Sequence, residues 1–185
     1  NMKVAKRAHK RGIPIVNYFA PSAWVWGQWR ARKMAKYGAK IASVFPMEAQ
    51  VYQEAGAQVE FVGHPLLDMV EPELTTDQFT EQYNLNLEQG PTIGLLPGSR
   101  QQEVEGLLEP MLEAATKIRK DYPEAEFLLP LADTIDQQDI ADKIEHYGVD
   151  VKIIQGHSYE VMEVADLLLV TSGTATLEAA CLERP

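Results

Sequence analysis

The chain of 185 residues has a single cysteine, Cys181. That excludes an internal disulfide framework and makes a reducing compartment the default reading. No apolar run approaches the roughly 18 residues that a membrane span needs. The four histidines stand at positions 9, 64, 146 and 157 without ligand spacing, so no metal site is expected. Two phosphate-binding signatures are missing, G-x-x-x-x-G-K-[ST] and G-x-G-x-x-G. Acidic residues are absent from the first 47 positions. The chain opens on Asn1 and closes on Leu182-Glu183-Arg184-Pro185, which reads as a helix interrupted before a further strand. A fragment lacking both ends is expected, and the absence of a signal peptide is uninformative.

What is present is an ordinary globular composition, 45% hydrophobic and 24% charged. The length suits one large domain or two small ones, with enough residues to bury a core. Charge is unevenly spread. Ten of the 17 basic residues precede Met47, while all 27 acidic ones follow it, within a net charge of −10. Such asymmetry points to an anionic partner at the basic end. Nucleic acid is not expected, because Lys and Arg here sit among large apolar residues and the whole chain is acidic. An anionic membrane surface or a phosphorylated lipid suits the pattern. The plainer alternative is a solvated helix face.

Helical and strand patterns alternate along the chain. Strands are predicted at 13–19, 41–45, 58–63, 91–96, 125–131, 151–154 and 167–170. Helices are predicted at 2–11, 27–37, 47–56, 101–120, 135–147, 158–165 and 174–183. Short apolar runs separated by helices imply parallel strands with crossover helices, hence a doubly wound α/β architecture. The stretch "HPLLDMVEPELTTDQ", with two prolines and no clear period, reads as a linker, with a domain boundary near 64–75. In such sheets ligands sit beyond the carboxyl ends of strands.

Four stretches stand at those ends. In "LLPGSRQQEVE" a strand gives way to a helix. Ser99 and Gln102 have capping-box spacing, so Ser99 is the predicted N-cap. Gly98 permits a tight turn and close approach of a ligand. The helix N-terminus and Arg100 together suit an anion. In "TSGTATLEAA", Ser172, Gly173 and Thr174 offer backbone and hydroxyl donors. Glu178 lies one turn past Thr174, where a carboxylate can accept from a ribose diol. Either stretch alone also reads as a simple helix cap; two in one sheet favour a phosphate-and-sugar ligand. In "YFAPSAWVWGQWRARK", Trp24, Trp26 and Trp29 run into Arg30, Arg32 and Lys33, the composition of a membrane–water interface. A buried aromatic corner is the alternative. In "FVGHPLLD", His64 reads equally as a phosphate-orienting group, a base or a hinge residue. Cys181, beside Ala179 and Ala180, reads as a buried structural thiol.

Taken together, "APSAWVW", "FVGHPLLD", "LLPGSRQQEVE" and "SGTATLEAA" resemble the lipid-A-disaccharide synthases in order and spacing across nearly the whole chain. The resemblance implies two Rossmann-like domains of the GT-B glycosyltransferase type, both incomplete, divided as 1–70 and 71–185. It implies an inverting hexosyltransferase that joins UDP-2,3-diacylglucosamine to 2,3-diacylglucosamine 1-phosphate and releases UDP. The enzyme would be cytoplasmic, peripheral to the inner face of the cytoplasmic membrane, with no cofactor or metal. Gly98, Ser99 and Arg100 would bind the diphosphate, Ser172, Gly173 and Thr174 would line the same pocket, and Glu178 would hold the ribose. The catalytic base is expected upstream of Asn1, so no catalytic residue is assigned. Two rivals are a UDP-N-acetylglucosamine 2-epimerase-like enzyme, which leaves the Trp-rich basic stretch unexplained, and a non-catalytic membrane-binding module.

Overall fold

The computed structural model describes residues 2–185. The chain divides into two compact units, residues 1–67 and 68–185.

The first unit runs α1 (Met2–Lys10), β1 (Val16–Tyr18), α2 (Trp29–Lys36), β2 (Lys40–Ser43), α3 (Pro46–Glu54) and β3 (Gln58–Phe61). Its strands form a parallel sheet in the order β1-β2-β3. Each strand is shorter than its apolar run. Pro14 lacks the N–H for a ladder bond before β1, and Pro46 takes the first position of α3, closing β2 early. Ala5, Ala31, Met34, Ile41 and Tyr52 form the core. Tyr52 is fully buried and its hydroxyl donates to the Pro21 carbonyl at 2.8 Å. Burial, with help from Glu48, pushes its phenol up to about 12. Glu48 is itself buried, which raises its carboxyl although the Ser43 hydroxyl donates to it at 3.0 Å.

A short helix, α4 (Leu66–Met69), spans the division. The second unit continues α5 (Thr76–Tyr83), β4 (Thr92–Leu96), α6 (Gln101–Asp121), β5 (Glu126–Leu131), α7 (Gln137–Tyr147), β6 (Lys152–Gln155), α8 (Ser158–Val164), β7 (Leu167–Val170) and α9 (Thr174–Cys181). The stretch predicted as a linker instead holds α4 and the start of α5, neither of which the sequence pattern predicts. A capping box of Thr75 with Gln78 starts α5, Asn84 in the left-handed region stops it, and buried Phe79 anchors it.

The second sheet is wholly parallel in the order β6-β5-β4-β7. All five residues of β4 are buried, as expected of a strand covered on both faces. Ile93 and Leu95 join α6, through Val104, Leu108 and Leu112, in one apolar layer. Leu128, Ile154 and Val161 fill the opposite face with Phe79, and Leu96, Met162, Leu168 and Ala179 extend it. Gly94 makes that second face possible. A β-carbon there would come within 2.5 Å of the Leu168 side chain, so glycine allows α8 and β7 to close over β4.

Candidate functional site

The strand order places a topological switch between β4 and β7. The connection from β4 runs through α6 to β5 on one side, while β7 lies on β4's other side, reached through α8 from β6. The loops leaving neighbouring strands diverge there and open a crevice at their carboxyl ends, the usual ligand position in such sheets. Those two loops are Pro97–Arg100 and Thr171–Gly173.

A cleft of about 440 Å³ lies at this point, and Gly98, Ser99, Arg100, Ser172, Gly173, Thr174 and Glu178 all line it. The seven residues expected to contact a nucleotide are therefore brought to one cavity from two loops more than seventy positions apart.

On the β4 side the backbone turns at Gly98, with φ +120°, a conformation that disfavours any residue with a β-carbon. The helix begins one residue later than expected. Arg100, not Ser99, occupies the N-cap position of α6, with extended φ and ψ, and Glu103 rather than Gln102 reaches back. Its carboxylate accepts from the Ser99 and Arg100 N–H groups at 3.2 and 3.4 Å and pairs with the Arg100 guanidinium. The expected Ser99 cap fails because a longer carboxylate reaches both donors from N3. The Ser99 carbonyl accepts from the Thr134 hydroxyl, beyond the end of β5, at 2.9 Å.

On the β7 side α9 starts at Gly173 with no side-chain cap. Thr176 turns its hydroxyl back to the Gly173 carbonyl at 2.7 Å instead. An uncapped helix N-terminus facing a cleft presents N–H donors and a partial positive charge to an anion. Glu178 stands deeper along α9, where its carboxylate accepts from the Tyr159 hydroxyl at 3.4 Å. Burial, and then Glu178, raise the Tyr159 phenol above its ordinary range, so it stays a donor at neutral pH.

The third wall escaped the sequence reading. Gly156, His157 and Ser158 line the cleft from the β6–α8 junction, with Leu131 and Met162 supplying apolar surface. The signal was available: "QGHS" repeats the pattern of strand, glycine, then polar helix start. His157 takes the left-handed region at φ +48°, and its Nδ1 lies 3.4 Å from Glu160. Glu160 is buried and accepts from the Glu73 and Leu74 N–H groups at 2.7 and 3.1 Å.

The remaining candidates are in the first unit. Trp24, Trp26 and Trp29 are 45%, 61% and 50% exposed, which removes the buried-corner alternative. The Arg30 guanidinium lies 4.1 Å from the Trp26 ring centroid and the Lys33 ammonium 4.5 Å from that of Trp29. Arg32 is exposed beside them. His64 serves its own loop. Its Nδ1 accepts the Leu66 N–H at 3.2 Å, and its ring packs 5.3 Å from both Phe19 and Phe45. Cys181 is half-buried rather than buried. Among the described residues no cluster of three or more His, Cys, Asp or Glu side chains is arranged to hold a metal, and no helix is long and apolar enough to cross a membrane.

Comparison with known proteins bears on the family and the fold. Lipid-A-disaccharide synthases of Nitrosococcus oceani and Geobacter sulfurreducens are 38% and 37% identical to the whole chain, and that of Syntrophus aciditrophicus is 39% identical. The chain spans about half the length of these relatives, 48% of each. Among solved structures, the fold is similar to UDP-GlcNAc 2-epimerase from Neisseria meningitidis bound to UDP-GlcNAc. That match has a TM-score of 0.67 at 14% identity and covers all of this chain and 55% of that one. A putative UDP-N-acetylglucosamine 2-epimerase from Listeria monocytogenes gives 0.65 at 12%, again over the whole chain and 52% of the other. These likenesses establish the fold, an α/β chain of Rossmann-like GT-B type. The family described as lipid-A-disaccharide synthetase matches residues 1–185, and the chain belongs to that family.

Proposed function

We propose that this protein is a hexosyltransferase of lipid A biosynthesis. It joins UDP-2,3-diacylglucosamine to 2,3-diacylglucosamine 1-phosphate, inverts the donor anomeric centre and releases UDP. The observation that carries this reading is the convergence of two helix N-termini, Arg100 and Glu178 in one cleft at the switch point of a parallel sheet. Family membership and the names of the relatives support it.

The chemistry follows from the leaving group. As the glycosidic bond to UDP breaks, negative charge accumulates on the diphosphate. The N–H groups at the starts of α6 and α9, with the permanent cation of Arg100, are fixed where that charge grows, so they stabilise the transition state more than the ground state. Gly98 and Gly173 leave the backbone uncovered for close approach. Ser172 and Thr174 add hydroxyl donors. Glu178, one turn further along α9, accepts from the ribose hydroxyls. A carboxylate base acting on the acceptor hydroxyl belongs to the first domain in the family, and none of the 185 residues is assigned to it.

Both substrates carry acyl chains, so the enzyme meets them at a bilayer. Exposed Trp24, Trp26 and Trp29 with Arg30, Arg32 and Lys33 supply apolar insertion plus attraction to anionic lipid. This supports a cytoplasmic enzyme peripheral to the inner face of the membrane. Product analysis with the complete gene product tests the reading. Disaccharide 1-phosphate and UDP are expected from the two acylated sugars. Epimerised UDP-sugar without disaccharide would overturn it.

A further inference from the structure

The seat assigned to the diphosphate already holds an anion. One Glu103 oxygen accepts from the Ser99 and Arg100 backbone N–H groups, and the other pairs with the Arg100 guanidinium. The same carboxylate lies against Gly98, where a β-carbon would come within 2.5 Å of Oε2. Gly98, Ser99 and Arg100 are thus all turned toward one carboxylate. They are the donors and the uncovered backbone that a phosphate would use, since backbone N–H groups and a guanidinium bind carboxylate and phosphate with the same geometry.

We infer that Glu103 is an internal competitor for the diphosphate seat, occupying it in the free protein and leaving it when a nucleoside diphosphate binds. The inference rests on the nucleotide reading of the cleft. Two anions cannot share the same three donors, so binding requires that the carboxylate swing away and release requires only that it return. Glu103 thereby lowers the affinity of the seat for the nucleotide product. In the free protein it also keeps the α6 donors paired and the guanidinium near its working position.

Two features make the exchange feasible. The pair is accessible, with side-chain exposures of 78% for Arg100 and 30% for Glu103, and accessible ion pairs are weak enough to open readily. The Arg100 guanidinium also holds the Glu103 carboxyl below the usual carboxylate range. The competitor is therefore ionised throughout the neutral range, and its effect does not depend on pH there.

The test is calorimetric titration of the protein with UDP and with uridine, in wild type and Glu103→Gln. Glutamine can keep the reach-back contact at the third helical position, so α6 should persist. The expected result is UDP binding tightened about fivefold, the equivalent of one exposed ion pair. Uridine, which has no phosphate, should bind as to wild type. Glu103→Asp withdraws the charge by one methylene and should shift UDP in the same direction, which covers failure of the first variant to fold. Wild type binding UDP while both folded variants bind it equally or more weakly would make Glu103 a helix cap or an Arg100 positioner and overturn the inference alone. Wild type failing to bind UDP would overturn the nucleotide reading, and this inference with it.

Discussion

Replacing Glu160 by alanine removes the single acceptor shared by two backbone donors. Glu160 is 3% exposed, so its carboxylate is shielded from bulk water. The Glu73 and Leu74 N–H groups, now at 2.7 and 3.1 Å from it, would be left unpaired. Each such group costs about 1–3 kcal/mol, and the contact with His157 adds little, so the second unit should lose about 3 kcal/mol. That corresponds to a fall of roughly 10 °C in its melting temperature. The loss also has a pH signature. Burial, the largest single influence, raises the Glu160 carboxyl. The backbone donors of Glu160 itself, Leu74 and Glu73, with His157, together outweigh burial, for a net value below the ordinary range. A depressed native pKa means stability that is fully present above the ordinary glutamate value and lost as pH falls through the native one. The stability gap between wild type and Glu160→Gln should therefore be constant at neutral pH and narrow below about pH 4. Thermal melts across pH, with hydrogen exchange at Glu73 and Leu74, read both effects. A loss under about 1 kcal/mol, with those amides exchanging at the wild-type rate, would refute the pinning of this segment by Glu160.

Arg100→Ala in the complete gene product should lower kcat/KM by about a hundredfold or more, as expected on losing a fixed cation at the leaving diphosphate. Turnover within threefold of wild type would leave Arg100 without that role. Changing Arg30, Arg32 and Lys33 together to Ser should weaken co-sedimentation with anionic vesicles, since each basic group near such a surface contributes about 1 kcal/mol. Raising salt should do the same to wild type, and activity on detergent-dispersed substrate should fall much less. Vesicle binding insensitive to both changes would make this an ordinary solvated face.

Seven strands and seven of the helices were legible because each couples an apolar run to a stop that has a physical cause, such as Gly12, Gly38 or Gly148. The two motif loops were legible for the same reason, a strand ending in glycine and small polar residues before a helix. Helix α5 was not, because its buried face amounts largely to Phe79 and its surroundings carry proline and threonine. Its capping box was present in Thr75 and Gln78 but lay inside what read as a linker. The cap of α6 was misplaced by one residue because S-x-x-Q and R-x-x-E overlap there, and only the third dimension shows Glu103 reaching both N–H groups. The third wall of the cleft, Gly156 to Ser158, is not legible because no Lys or Arg stands at that helix start to mark it as an anion site. The fate of Arg100 in the free protein, paired with a carboxylate three residues away, follows from side-chain geometry that spacing does not fix.

The three tryptophans fall between residues 24 and 29, all in the first unit, and all meet solvent. The second unit, with its cleft, carries tyrosines such as Tyr83 and Tyr159 but no tryptophan. Tryptophan fluorescence is thereby an optical tag on one half of the molecule. A blue shift on adding vesicles would register those indoles leaving water. During denaturation the same emission follows unfolding of the first unit alone, while calorimetry records both, so the difference between the two curves isolates the unit that carries the cleft.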